Sequence, residues 1–346
     1  MNSKSDVAML APFQLEPLFV ERIWGPLDLR PWYDFVADGK PGHNPVGEVW
    51  LTGNECTVAT GALAGKKLGE VFTEQAPAML GGLEAEWMQG QSPLLLKVIF
   101  AQEKLSVQVH PDDRMAQKYG EPRGKTECWY VLAAEPGAEL ATGLRPGVTL
   151  EDVERGVADG TLETSLEILP VAAGDLVYVD AGTVHAVWPG SVLLETQQYS
   201  DTTYRLYDYG RPRPLHVAKA LEAIRLETAA GKIAPVELPD RTVLVDQSYF
   251  CVEKIAVHGA RSGASMVGAD EFTGKERSGL AYLFAASGSG QITALDSTAF
   301  EPVPLPSGGL VAVPASSPEW QIEDGGGLEL IRVTPRFPQL RPAGAA

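Results

Sequence analysis

Four side chains near the middle of this 346-residue chain have the types and spacing to hold a metal ion. In KLSVQVHPDD, extended backbone sends successive side chains to opposite faces. Ser106, Gln108 and His110 therefore share one side, and Leu105, Val107 and Val109 the other. The same alternation in GKTECWYV groups Lys125, Glu127 and Trp129 and turns Cys128 and Tyr130 away, so Cys128 is not expected at the same site. His185 follows a tight Ala-Gly turn in DAGTVH. Gln108, His110, Glu127 and His185 thus offer one amide oxygen, two imidazoles and one carboxylate. That borderline-hard set suits Zn²⁺ or another divalent first-row ion with coordination positions left open. The other histidines, His43, His216 and His258, fall in turn, helix-start and strand-end settings without partners and are read as structural. Lys97 is the only charge in PLLLKVIFA, and an ammonium in such an apolar run requires a partner or a water-filled cavity.

The elements that must position these groups are mostly strands. From Pro93 to Asp208 the segments LLLKVIFA, KLSVQVHPDD, TECWYVLAAEPGAEL, GDLVYVDAGTVHAV and SVLLETQQYS each end in Gly, Pro or a polar turn residue, the rhythm of an all-β module. Thr149 with Asp152 three residues on forms a capping pattern that opens a helix to about Gly156, and Thr164 to Leu169 adds a turn. A further helix is expected from Pro214 through LHVAKALEAIRLE, ending near Gly231. Strand rhythm then resumes over about residues 240–340. Gly174-x5-Asp180-Ala-Gly-Thr-Val-His185 lies on Gly308-x5-Pro314-Ala-Ser-Ser-Pro-Glu319, and Tyr130-Val-Leu-Ala-Ala on Tyr282-Leu-Phe-Ala-Ala, in the same order. This internal repeat predicts a duplicated β sandwich or barrel. In the second copy Gly279 falls at Glu127 and Glu319 at His185, so that copy carries no metal site. The expected division is a catalytic domain over 1–212 with a helical insertion at about 149–170, a helical linker over 213–239, and a second β domain over 240–346.

With 28 Lys+Arg against 45 Asp+Glu, the formal charge of −17 argues against nucleic acid as a partner. No apolar run reaches the roughly 18 residues a membrane span needs, and the N-terminal residues lack a secretory layout, so a soluble cytoplasmic protein is expected. Cys56, Cys128 and Cys251 are widely spaced and odd in number, which gives neither a disulfide framework nor a CxxC site. The 36 Gly and 26 Pro supply the turns that many short strands require.

The Gly174 to His185 segment resembles the second cupin metal motif, with Asp180 where proline is usual. The segments LLLKVIFAQEKLSVQVHPDD, GKTECWYVLA, GDLVYVDAGTVHAV and ETQQYSDTTYRLYDYGR resemble those of type I mannose-6-phosphate isomerases, in particular the short bacterial form. Weaker echoes lie in ERIWG near Trp24 and GEVW near Trp50. The resemblance implies two tandem cupin jelly rolls with a few helices, and one divalent ion, Zn²⁺ first, held by Gln108, His110, Glu127 and His185. It also implies that Lys125 and Arg205 act on the substrate, with Asp201 close by; Lys97 and Ser106 are further substrate-binding candidates.

The activity so implied is interconversion of mannose 6-phosphate and fructose 6-phosphate by proton transfer between C2 and C1 through an enediol. The base stays open between Lys125, Asp201 and a metal-bound water, and Lys97, Lys125 and Arg205 are expected to form a locally cationic pocket for the phosphate. Two other readings fit the same residues. One is a cupin dioxygenase with an O2-reactive metal. The other is a sugar-phosphate sensor without turnover, for which the departures at Asp180 and around GEVWLTGNEC speak.

Overall fold

The computed structural model describes residues 7–37, 45–81, 84, 85, 88, 90–263 and 279–337; His43 lies outside them. In chain order the strands are β1 (Phe13–Gln14), β2 (Leu18–Glu21), β3 (Val46–Trp50), β4 (Leu94–Ala101), β5 (Val107–Val109), β6 (Glu127–Ala134), β7 (Glu139–Leu144) and β8 (Leu166–Pro170). There follow β9 (Leu176–Val179), β10 (His185–Val187), β11 (Ser191–Gln198), β12 (Tyr204–Tyr207), β13 (Gly231–Lys232), β14 (Val236–Glu237), β15 (Thr242–Asp246) and β16 (Phe250–Ala256). The last are β17 (Ala260–Ser262), β18 (Ala281–Ser287), β19 (Gly290–Ala294), β20 (Val303–Leu305), β21 (Leu310–Val313), β22 (Trp320–Asp324) and β23 (Glu329–Pro335). The helices used below are α1 (Leu68–Leu80), α2 (Asp113–Lys118), α3 (Leu150–Asp159) and α4 (Val217–Ala223).

The chain forms two compact units. The first comprises Phe19–Trp50 and Leu94–Ala234, the second Met1–Leu18, Leu51–Pro93 and Pro235–Ala346. This differs from the linear division at 212 and 239. Phe13 of β1 pairs with Ala312 of β21, and the Ala315 and Ser316 amides donate to carbonyls at the end of α1, so both early segments belong with the C-terminal strands. The expected linker is no linker either: α4 and β13 belong to the first unit, where β13 extends the sheet beside β9.

In the first unit a seven-stranded sheet, β13-β9-β6-β11-β4-β3-β2, faces a five-stranded one, β12-β5-β10-β7-β8. Ile99, Trp129, Val131, Leu140, Val177, Val187 and Leu193 fill the interior. On the other face of the smaller sheet, Val107, Val109, Ala186 and Leu206 pack with Val153 of α3 and with Ala220 and Ala223 of α4. Strand alternation thus sends Val107 and Val109 to the helices and leaves Ser106, Gln108 and His110 for the interior. The second unit repeats the plan as β1-β21-β18-β23-β16-β15-β14 with β17-β22-β19-β20, closed over Ile255, Leu283, Ile292, Val311, Ile322 and Leu330. The fold is all-β, two jelly rolls with few helices.

Local signals hold where they are capped. Thr149 and Asp152 form the expected capping box at the start of α3, which runs to Asp159 and ends on left-handed Gly160. Residues 164–169 give a single 3₁₀ turn and then β8. The helix expected to reach Gly231 stops at Ala223, because the Arg225 amide leaves the helix to donate to the Gly182 carbonyl. The unforeseen α1 is stabilised by buried Leu68, Val71, Phe72 and Met79, although Thr73 and Pro77 weaken its propensity. Among the described residues no helix is long and apolar enough to cross a membrane.

Pairing registers place the two units residue on residue. Glu127 pairs with Val179, and its counterpart by register, Ala281, pairs with Val313. Glu195 lies between Trp129 and Lys97; likewise Arg332 lies between Leu283 and Glu253. Each interior therefore carries a buried ion pair at one address, Lys97 with Glu195 and Glu253 with Arg332, with the signs exchanged. Registers also correct the repeat by one or two residues: Ala281 stands for Glu127 rather than Gly279. Trp320 stands for His185 rather than Glu319, since Val187 opposite Leu140 matches Ile322 opposite Ile292.

Candidate metal centre and its cavity

His110, Glu127 and His185 are all buried, and one donor atom from each lies within 4.8 Å of the others. Neighbouring backbone orients them. His110 follows β5, and its Nδ1 lies 2.9 Å from the Thr202 carbonyl; His185 opens β10, with Nδ1 3.0 Å from the Thr183 carbonyl. Each Nδ1 must carry the proton, which leaves both Nε2 lone pairs facing Glu127, at 3.5 Å from Oε2 and 3.4 Å from Oε1. Glu127 Oε1 is buried without a hydrogen-bond donor among the described residues. Between His185 Nε2 and Glu127 Oε1 no donor intervenes among the described residues, and such opposed lone pairs repel unless a cation lies there, so the donors fit a divalent ion.

Gln108 belongs to the same group, opposite His185 in the β5–β10 register. Its Nε2 is 3.2 Å from His185 Nε2, and its Oε1 accepts from Ser106 Oγ at 3.1 Å. A half-turn of the amide presents Oε1 to the cluster and lets Nε2 donate to Ser106, so the hydroxyl serves either orientation. The Lys125 ammonium donates to Glu127 Oε2 at 2.6 Å and lies 3.0 Å from His110 Nε2. Burial holds the His185 pKa down at about 4 and that of His110 well below the usual imidazole value, so both stay neutral and able to ligate. Burial, together with the negative charge of Glu195, pushes the Glu127 carboxyl up to about 7.

The turn before His185 is sound with aspartate at 180. Asp180 accepts from Thr183 Oγ1 and from the Ala229 amide, while the Gly182 amide donates to the His110 carbonyl. The Asp180 carboxylate thus holds the loop that proline stiffens elsewhere, and the Gly182 amide ties that loop to the backbone of His110.

A cavity of about 90 Å³ adjoins the cluster, lined by Trp24, Lys97, Ser106, Gln108, Lys125, Trp129, Arg205 and Arg213, among others. Lys97 has both the partner and the cavity that its position in an apolar strand demands. Its ammonium lies 2.7 Å from Glu195 and 3.8 Å from Glu48; these carboxylates outweigh the cost of burial and keep it cationic. Despite its burial, Glu195 is held down at about 2 by Lys125 and Lys97, and it accepts from the Trp129 indole. Glu48 is ligated by Arg22 and the Trp50 indole. The ERIWG and GEVW echoes thereby acquire a role: an added Cβ at Gly25 would sit 2.3 Å from the Gly47 amide nitrogen, and this close approach sets Trp24 into the cavity wall.

Arg205 is no surface ion-pair residue. Its Nε donates to Ser106 Oγ and one terminal nitrogen to the Pro214 carbonyl, and no carboxylate pairs with it among the described residues. Burial and neighbouring Arg213 lower its pKa, a sign of an uncompensated cation. Asp201 is exposed, does not join Arg205, and is near enough to affect Lys97. The expected cationic set of Lys97, Lys125 and Arg205 therefore changes. The two lysines face Glu195 and Glu127, whereas Arg205 and Arg213 stand together at the wall. Arg213, held by Asp208 at 2.6 Å, was missed, as were Glu195 and Glu48. Glu195, the lone charge in SVLLETQQ, carried the same signal as Lys97. His216 also has a partner, contrary to the expectation, because its ring accepts from the Arg205 amide.

The phosphomannose isomerase type I catalytic domain matches residues 12–144. The mannose-6-phosphate isomerase of Streptococcus mutans is 32% identical over 337 residues, 91% of this chain and 97% of that protein. The crystal structure of the mannose 6-phosphate isomerase from Bacillus subtilis superposes with a TM-score of 0.78 at 31% identity, covering 94% of this chain and 100% of that one. At 16% identity and a TM-score of 0.71, a mannose 6-phosphate isomerase bound with zinc and yttrium shares the fold over 95% of this chain and the whole of that one.

Proposed function

Since the chain belongs to the type I phosphomannose isomerase family, we propose that it interconverts mannose 6-phosphate and fructose 6-phosphate at the cavity of its first unit. The observation that carries this is the orphaned Glu127 Oε1, facing a neutral imidazole lone pair beside a cavity walled by Arg205 and Arg213. Gln108, His110, Glu127 and His185 would hold one divalent ion, and the donor set favours zinc. That ion supplies Lewis-acid polarisation of the substrate carbonyl.

The remaining work falls to the chain's own side chains. Lys97 is locked by two carboxylates and serves as a fixed positive charge, not as a base. Glu195 is its counterion and orients Trp129. We assign Lys125 the transfer of the proton: once its ammonium proton has passed to solvent, the Nζ lone pair takes the proton from C2 as the enediol forms and returns the same proton to C1. The guanidinium of Arg205, fixed by Ser106 and Pro214, points a planar fork at developing enediolate charge. At about 90 Å³ the cavity falls below the roughly 300 Å³ at which ligand pockets begin, so it admits the reacting end of the hexose. The phosphate then lies toward Arg213, where charge-assisted hydrogen bonds retain it.

A coupled assay of the purified, zinc-loaded protein tests this, with mannose 6-phosphate as substrate and mannose and glucose 6-phosphate as controls. Turnover confined to mannose 6-phosphate is the expected result. Binding without isomerisation would sink the proposal and leave the sensor; oxygen uptake would point to the dioxygenase.

A further inference from the structure

We propose that His216 is a positioning residue for Arg205, clasping the Arg205 peptide from the free edge of β12 so that the guanidinium stays in the cavity wall. This rests on the reading that Arg205 acts on the substrate. Strand β12 ends the five-stranded sheet, so among the described residues one side of it has no strand partner. There the Arg205 amide donates to His216 Nδ1 at 3.2 Å, and the His216 amide donates back to the Arg205 carbonyl at 2.7 Å. Two residues earlier, the Pro214 carbonyl takes the Arg205 guanidinium at 2.9 Å. Residues 214–216 thus hold both ends of one arginine. The clasp is anchored, because His216 is the N-cap of α4, whose Ala220 and Ala223 are buried with Val109 and Leu206.

The side chain adds something that a generic residue could not. Any residue at 216 offers a main-chain amide to the Arg205 carbonyl, but only an acceptor side chain satisfies the Arg205 amide. To accept at Nδ1 the imidazole must be neutral, with its proton on Nε2. The charged groups near it are Arg205 itself and Lys219 of α4; the Tyr204 ring lies 6.5 Å away, and Glu222 is engaged with Lys118 and Tyr119. Burial and those two cations hold its pKa below the usual imidazole value, so it is neutral at pH 7. Acidification through that pKa removes the acceptor and sets a third cation beside Arg205.

The test is a cycle on the zinc-loaded enzyme: wild type, His216→Ala, Arg205→Ala and the double variant, with His216→Asn as the conservative change, whose Oδ1 can take the place of Nδ1. Expected are about a tenfold loss in kcat for His216→Ala with zinc content unchanged, and no further loss when Arg205 is already Ala. His216→Asn should recover most of the activity and move the acid limb of kcat to lower pH. Equal losses in both backgrounds, or none in either, would overturn the proposal. If His216→Ala does not fold, an acid limb left unmoved in His216→Asn would overturn it. Wild-type kinetics for Arg205→Ala would overturn the reading of Arg205 itself, and the clasp with it; a damaged Arg205→Ala beside a wild-type His216→Ala overturns the clasp alone.

Discussion

Both units order their strands alike around an apolar interior, yet one interior gathers four candidate metal donors and the other offers no such donor at the three corresponding positions among the described residues. Ala281 stands at the register position of Glu127, Trp320 at that of His185, and Gly263 at that of Gln108. The last two are complementary: a Cβ on Gly263 would lie 2.4 Å from the Trp320 ring, so the indole takes the space that an amide and an imidazole share in the first unit. Loss of ligands and gain of bulk go together. The jelly roll itself is therefore indifferent to the site, and chemistry depends on which side chains strand alternation sends inward.

The comparison breaks first if metal binding survives in the wrong place. His110→Ala and His185→Ala should each weaken zinc binding at least a hundredfold and abolish turnover, since even outer partners of metal ligands cost tenfold to a hundredfold. Trp320→Ala should leave the zinc content at one equivalent by elemental analysis. Two equivalents in the wild type would mean that the second interior is not closed.

The shared ion pair sharpens it next. Glu195→Gln in the first unit and Arg332→Met in the second each remove one of two partners of a buried charge, leaving Lys97 with Glu48 and Glu253 with Arg241, and should cost about 1–3 kcal/mol in denaturant unfolding. Only the first should also depress kcat, through Lys97 and Trp129. A matching loss of kcat in Arg332→Met would show that the interiors are not functionally separate. Arg205→Ala should follow, with kcat down about a hundredfold to a thousandfold and unfolding nearly unchanged; Arg205→Lys should recover part of it, because charge returns without the fork. Wild-type kinetics would send Arg205 back to a structural role.

The smallest effect is in pH. His110 and His185 are neutral when folded, with pKa values below the unfolded value near 6.5, that of His185 at about 4. Between those limits the unfolded chain binds more protons, so the zinc-free protein should lose stability as pH falls from about 6.5 to 4. Glu127, raised when folded, opposes this with one group against two. A loss on the order of 2 kcal/mol is expected, read from urea midpoints across that range. A flat profile would mean that the imidazoles are not buried as neutral bases.

Most of the metal cluster was legible because period-two alternation needs only a few consecutive residues: Ser106, Gln108 and His110 on one strand, Lys125 and Glu127 on another. Lys97 stood out as a charge in an apolar run. Residues whose importance comes from cross-strand register were not legible. Glu195 matters because it falls between Lys97 and Trp129, and bulges between Val192 and Leu193 and between Ala285 and Ser287 shift pairings that no gapless repeat can anticipate. His216 was misjudged for the same reason, since its partner is a backbone amide eleven residues away on a strand edge. The unit boundaries depend on where β1 and α1 pack, which local pattern does not encode.

The exchanged signs of the interior ion pairs bear on how a duplicated chain finds its own partners while folding. Two sets of strands with one order and similar apolar faces invite mispairing, in which β4 is set against β23 or β11 against β16. The first error would place Lys97 opposite Arg332, and the second Glu195 opposite Glu253, each a pair of like charges in an interior where neither can be hydrated. Correct pairing is the arrangement that neutralises both, so the buried charges act as a key that keeps each half of the duplication with its own strands.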